Sequence, residues 1–397
     1  MVKKADGAKS QPTPRAPVKA AVLRWAIDRS GIEPEDFYGR FPKLAEWETG
    51  EVHPTLKQLQ DFASATRTPI GFLVLPEPPV LSVPIPDFRT MGNERLDSPS
   101  PDLLDTIYIC QQRQEWYRDY ARASNEQPLP FVGSVSLKTS ITDAAAAMRE
   151  TLGFNLESRR RASTWTEALR VFIEQTDHAG VLVMINGVVG SNNHRKLDPG
   201  EFRGFALADL FAPLVFINGS DTKSAQMFTL AHELAHLWLG QSALSDAGPA
   251  ANLSHAVEVW CNKVAAEFLV PLQTIKASHE PDRELTEELN RLARHFKVST
   301  LVILRRIHDL GHLNREQFWQ AYQDEVARIT SISKGSGGDF YLTTLVRVGK
   351  RFTRALVAST LEGQTLYRDA FRMLGVNKLA TFNELGRNSG VTHGLPA

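Results

Sequence analysis

Residues 226–240 read QMFTLAHELAHLWLG and set two histidines four apart, with a glutamate directly after the first. Met227, Phe228, Leu230, Leu234, Leu237 and Trp238 recur at helical spacing, Asp221 is available to cap the start and Gly240 to end it, so the stretch predicts one helix. Residues four apart share a helix face, which lets His232 and His236 bind one ion. Glu233 lies about 100° further round, beside that ion rather than on it. By composition alone, a chance HExxH is expected in roughly one chain in a hundred, so a pair of satisfied core histidines is the weaker reading.

The metal reading needs a third ligand, because a catalytic zinc takes three side chains and leaves the fourth position to water. Residues 252–271, NLSHAVEVWCNKVAAEFLVP, predict a second helix, with Asn252 or Ser254 as caps and Pro271 as the stop. Glu258 and Asn262 are four apart on one face of it, so the carboxylate can complete the set while the amide orients a histidine ring. Glu267, nine residues on, is about half a turn out of phase. One of the two acids can face the metal, and Glu258 is the choice.

FTLAHELAHLWLG followed by EVWCNKVAAEFLVP resembles the ImmA/IrrE family of metallopeptidases, whose usual pattern is an HExxH helix and then a helix of the type ExEANxFAxxLLMP. The resemblance is specific over roughly residues 200–275. Trp260 and Cys261 stand where the family often has Glu-Ala, which leaves Glu258 as the acidic ligand of that motif. The resemblance implies a zincin-like, gluzincin-type core in which His232, His236 and Glu258 bind Zn2+ and Glu233 is the catalytic base. Asn262 is then a supporting residue behind the ligands. His255, three residues before Glu258, is either a donor to the developing oxyanion or a residue near the helix cap.

Just upstream, APLVFINGSDTKSAQ supplies a short apolar strand over Leu214, Val215, Phe216 and Ile217. Zincins commonly offer a strand edge to an extended substrate, and the resemblance assigns that edge to these four residues. GVLVMINGVVG, residues 180–190, predicts a hairpin about Asn186-Gly187 in the same sheet.

At 397 residues with 42% hydrophobic content, the chain has room for several domains with substantial cores. Lys plus Arg and Asp plus Glu are both 45, so no global basic field argues for nucleic acid. Residues 1–19, basic and proline-containing, are expected to be a disordered arm rather than a signal peptide. No apolar run approaches the roughly 20 residues of a membrane helix. Cys110 and Cys261 are far apart, which fits a reducing cytoplasm and excludes a disulfide framework.

Residues 20–75 predict a helical domain. Its second half, LAEWETGEVHPTLKQLQDFASATRTPIGFLVL, resembles the later helices of the Cro/C1-type (XRE) helix-turn-helix, with Trp47, Gly50, Pro54, Leu59 and Phe62 in packing positions. Between Gly31 and Trp47 the chain is about one helical turn short of that family's pattern, and Pro42 falls where a recognition helix belongs. The domain therefore serves either DNA binding or contact with protein. Residues 76–101 follow as a proline-rich linker, 102–333 as the peptidase domain, and 334–397 as a mainly helical region for partner binding or packing. The fold class is α+β.

Two functions compete. One is a zinc endopeptidase that cleaves a specific protein, which the resemblance suggests is a repressor or antitoxin encoded nearby, in a toxin–antitoxin or stress-response setting. The other is an XRE-type transcriptional regulator or antitoxin component that uses the zincin fold for binding. Binding alone does not require Glu233.

Overall fold

The computed structural model describes residues 14–87, 99–245, 256–332 and 340–391. It is a mixed α+β structure dominated by helices, with a four-stranded mixed sheet and a two-stranded ribbon. Two compact units emerge, residues 1–82 with 98–104 and residues 83–97 with 105–397.

The first unit contains helices α1 (Ala20–Ser30), α2 (Pro34–Arg40), α3 (Leu44–Thr49), α4 (Leu56–Ala65) and α5 (Ile70–Leu73). Val22, Leu23, Leu44, Leu59 and Phe62 are buried in its core, and the Phe41 and Trp47 rings lie 5.4 and 6.1 Å from that of Phe62. Thr55 and Gln58 close a reciprocal capping box at the start of α4. Pro42 separates α2 from α3, which has only six residues and ends at Gly50 with φ +77°. The expected loose arm is corrected over its last residues. Arg15 bridges Thr55, the Ala16 N–H donates to the Pro54 carbonyl and Val18 is buried. Residues 1–13 lie outside the described residues.

In chain order the rest runs α6 (Pro101–Ala123), α7 (Ile141–Leu152), α8 (Leu156–Arg160), α9 (Trp165–His178), β1 (Leu182–Asn186), β2 (Val188–Val189), β3 (Asn192–Lys196), β4 (Gly204–Leu207) and β5 (Leu214–Asn218). Then follow α10 (Lys223–Trp238), β6 (Ala243–Ser245), α11 (Ala256–Leu269), α12 (Leu272–Ser278), α13 (Leu285–Phe296), α14 (Thr300–Asp309) and α15 (Arg315–Ile332). The last helices are α16 (Phe340–Val348), α17 (Lys350–Leu361), α18 (Tyr367–Leu374) and α19 (Leu379–Ser389). Among the described residues no helix is long and apolar enough to cross a membrane.

The sheet order is β1-β5-β4-β6, with β1 and β5 parallel and the other pairings antiparallel. This order corrects two expectations. Leu214, Val215, Phe216 and Ile217 form no edge, because β5 is paired on both sides and all its residues are buried. Nor does Asn186-Gly187 turn a hairpin. β1 pairs with β5 while β2 leaves to pair with β3, as suits an all-buried LVMIN run that favours interior parallel pairing.

α10 packs against β4 and β5 on one side and α11 on the other, and α11 is backed in turn by α7. Apolar residues from α7, α9, α10, α11, α13 and α14 join one core, so the two central helices are buried nearly all round. The C-terminal helices cover β1. At Gly349, φ +89°, an added Cβ would lie 2.8 Å from the Val183 carbonyl oxygen, so the backbone approach there requires glycine.

Candidate metal centre

α10 starts at Thr222, whose hydroxyl accepts from the Ala225 N–H; Asp221, the expected cap, instead pairs with Arg203 at 2.9 Å. The helix runs under the sheet with His232, Glu233 and His236 fully buried. Across from them α11 presents Glu258, 1% exposed, and Asn262, one turn later. The start of α11 expected at Asn252 or Ser254, and His255 with it, lies outside the described residues.

His232 Nε2 lies 3.1 Å from Glu258 Oε2, His236 Nε2 lies 3.0 Å from Glu258 Oε1, and the two Nε2 atoms are 3.1 Å apart. Four polar atoms thus converge on one point. His232 Nδ1 is 3.0 Å from Asn262 Oδ1, which can accept a proton carried there and so direct Nε2 toward the cluster. Burial lowers the pKa of His236 and favours its neutral form. Two imidazoles and a carboxylate at this spacing form a set that could hold a metal ion. Around a tetrahedral zinc with ~2.0–2.1 Å bonds, donor atoms are roughly 3.3 Å apart, close to the spacing found here. Among the described residues, His232, His236 and Glu258 form the one group of three or more His, Cys, Asp or Glu able to hold a metal ion.

Burial works to raise the Glu258 pKa, but His232 and His236 outweigh it and hold the carboxyl well below the usual range. Glu233 behaves oppositely. Burial first, and the Glu258 charge second, push its pKa well up, with Ser245 acting weakly against them. Both Glu233 oxygens are buried without a hydrogen bond of ordinary geometry. A group poised in this way takes up and gives back a proton readily.

Glu267 is not part of the cluster. Its Oε2 lies 2.5 Å from Arg306 Nη2 and accepts from the Leu272 N–H. The out-of-phase position therefore serves the C-terminal end of α11, where Arg149 and Arg159 donate to the carbonyls of Glu267, Phe268 and Leu269.

Two neighbours of the centre escaped sequence reasoning. Ser245 Oγ, at the end of β6, is 3.5 Å from His236 Nε2. Gly204 is its partner across the ladder, and a Cβ there would stand 2.7 Å from Thr229 Cγ2 and 3.2 Å from Glu233 Oε1. A lone serine carries no signal. An isolated glycine opening a β-prone run does signal close approach, and Gly204 was available to be read that way.

Residues 176–308, which contain the whole cluster, match the model of a peptidase family described as the IrrE N-terminal-like domain. Residues 348–388 match the model of a domain of unknown function, and no family model matches the N-terminal helices. No curated protein and no solved structure matches the chain.

Proposed function

We propose that this chain is a zinc-dependent endopeptidase that cleaves one specific regulatory protein, a repressor or antitoxin encoded nearby. The observation that carries the reading is the convergence of the buried His232, His236 and Glu258 at 3.0–3.1 Å, beside a buried Glu233. These residues fit a zinc ion, and the family match points to a metallopeptidase.

His232, His236 and Glu258 would hold the ion, and Asn262 keeps the His232 lone pair aimed at it by taking the Nδ1 proton. A zinc ion supplies Lewis acidity there, lowering the pKa of water to about 7 and polarising a carbonyl. Glu233 accepts the proton of the attacking water and delivers it to the leaving amine. The burial that raises its pKa makes the first of these transfers favourable. Ser245 and Gly204 line the side of the centre nearest the sheet, and the bare Gly204 leaves room for the Glu233 carboxylate.

A cytoplasmic peptidase with this centre must spare its neighbours, and the N-terminal helical unit is suited to selecting the partner. With α3 only six residues long, that unit is better read as a protein-contacting relative of the helix-turn-helix than as a reader of DNA bases. A purely binding role would leave the buried, unpaired Glu233 as a cost without a return.

The test incubates wild type and Glu233→Gln with the product of the neighbouring gene and maps fragments by mass spectrometry. Single-site cleavage by wild type, a loss of about 10³-fold in Glu233→Gln, and casein left intact are expected. Equal cleavage by both forms would contradict the assignment of Glu233.

A further inference from the structure

The outer side of β6 is already occupied. The Leu244 N–H donates to the Pro86 carbonyl at 2.9 Å, and Asp87 bridges Leu244 in parallel. Residues 83–87, VPIPD, are thereby laid along the edge of the sheet, one residue from Ser245 and its approach to His236. The chain bends at Pro84 and Ile85 just before this contact, and Ile85 is buried between the exposed Pro84 and Pro86.

A sheet edge beside a peptidase centre is where an extended peptide adds as a further strand through main-chain hydrogen bonds. The segment from Val83 to Asp87 takes that place with a weak grip. In this register residue 86 faces β6 with its carbonyl, and an N–H at the same residue would point to the Ser242 carbonyl. Proline has no N–H to give. The buried side chain of Ile85 sets the position while Pro86 stops the ladder from zipping.

We propose that Val83–Asp87 is a built-in competitor for the β6 edge, displaced by an extended, proline-free peptide able to donate the hydrogen bond that Pro86 withholds. The proposal rests on the peptidase reading of the neighbouring centre, and it adds how access to that centre is restrained. Its chemistry selects against short, weakly held peptides and in favour of a segment long enough to pair along Ser242–Ser245.

The test uses the full chain carrying Glu233→Gln, so that no turnover intervenes, and a fluorescent peptide of residues 81–87 with both prolines replaced by alanine. Peptide binding is read by anisotropy, and the Leu244 amide by hydrogen exchange. Adding Ile85→Asp should unseat the segment, tightening peptide binding at least tenfold and speeding Leu244 exchange at least tenfold. Adding Pro86→Ala instead restores a donor, and should slow Leu244 exchange and weaken peptide binding. Equal peptide binding with and without Ile85→Asp, or no binding to either, overturns the proposal, as does Leu244 exchange that Pro86→Ala fails to slow. The Pro86→Ala arm decides the matter even where Ile85→Asp misfolds. Failure of the peptidase reading shows separately, as wild type that cuts nothing.

Discussion

Glu258 and Glu288 are both 1% exposed, both lie against histidine, and both are held below the usual carboxylate range, yet their surroundings are opposite in kind. Glu288 is surrounded by donors. Arg291 Nε and Nη2 donate at 2.8 and 2.7 Å, the Glu280 N–H donates at 2.9 Å, and His279 Nδ1 lies at 3.0 Å. Glu258 faces two imidazole nitrogens, at 3.1 and 3.0 Å, with no arginine or backbone N–H beside them among the described residues and with the buried carboxyl of Glu233 nearby. The Glu288 cluster is complete as it stands and ties α12 to α13. The Glu258 cluster is a set that could hold a cation. Burial and proximity alone do not separate a structural ion pair from a metal centre; the count of donors against acceptors does.

The comparison can be sharpened first at Glu288. Burial works to raise its pKa, but Arg291, the Glu280 N–H and His279 together hold it down to about 2. A carboxyl depressed on folding stabilises above its unfolded pKa of ~4.3 and loses that contribution as pH falls toward the folded value. Glu288→Gln should therefore cost about 3 kcal/mol of unfolding free energy at pH 7, and the difference from wild type should shrink steadily between about pH 4.5 and 2. Urea melts across that range check it. Its activity per folded molecule and its zinc content should be unchanged, which no ligand variant would allow.

A smaller effect is expected at Asn262. Removing the acceptor for His232 Nδ1–H frees the ring to turn and to place its proton on Nε2, so Asn262→Ala should weaken zinc affinity about 30-fold, or about 2 kcal/mol. Competition with a fluorescent chelator measures it. An unchanged affinity would mean that the packing of α10 against α11 orients the ring without help.

The grouping of His232, His236 and Glu258 was legible in the sequence, because an i, i+4 pair on a helix fixes geometry without knowledge of the rest of the fold. His232 with His236, and Glu258 with Asn262, are two such pairs, and helical phase separated Glu258 from Glu267. The geometry at Glu267, paired with Arg306, agrees with that separation. What sequence could not convey was sheet order. Leu214–Ile217 was read as an edge, although an unbroken apolar run is the mark of a strand buried on both faces, and it lies between β1 and β4. The edge near the centre is β6, three residues long and without a periodic pattern to announce it. Its neighbours Ser245 and Gly204 reach the site through ladder register, a long-range property that local spacing does not carry. In the first unit, Trp47 and Phe62 were readable as packing residues, whereas the anchoring of Arg15 at Thr55 depends on a single bridge within a proline-rich stretch.

The central claim is that Glu258 completes a cation site while the neighbouring buried glutamate of the same helix does not. Zinc content by inductively coupled plasma mass spectrometry, on purified wild type, Glu258→Gln and Glu267→Gln, tests it most directly. The account predicts about one zinc per chain in wild type and in Glu267→Gln, and less than about a tenth of that in Glu258→Gln. Full zinc in Glu258→Gln, or its loss in a folded Glu267→Gln, would contradict it.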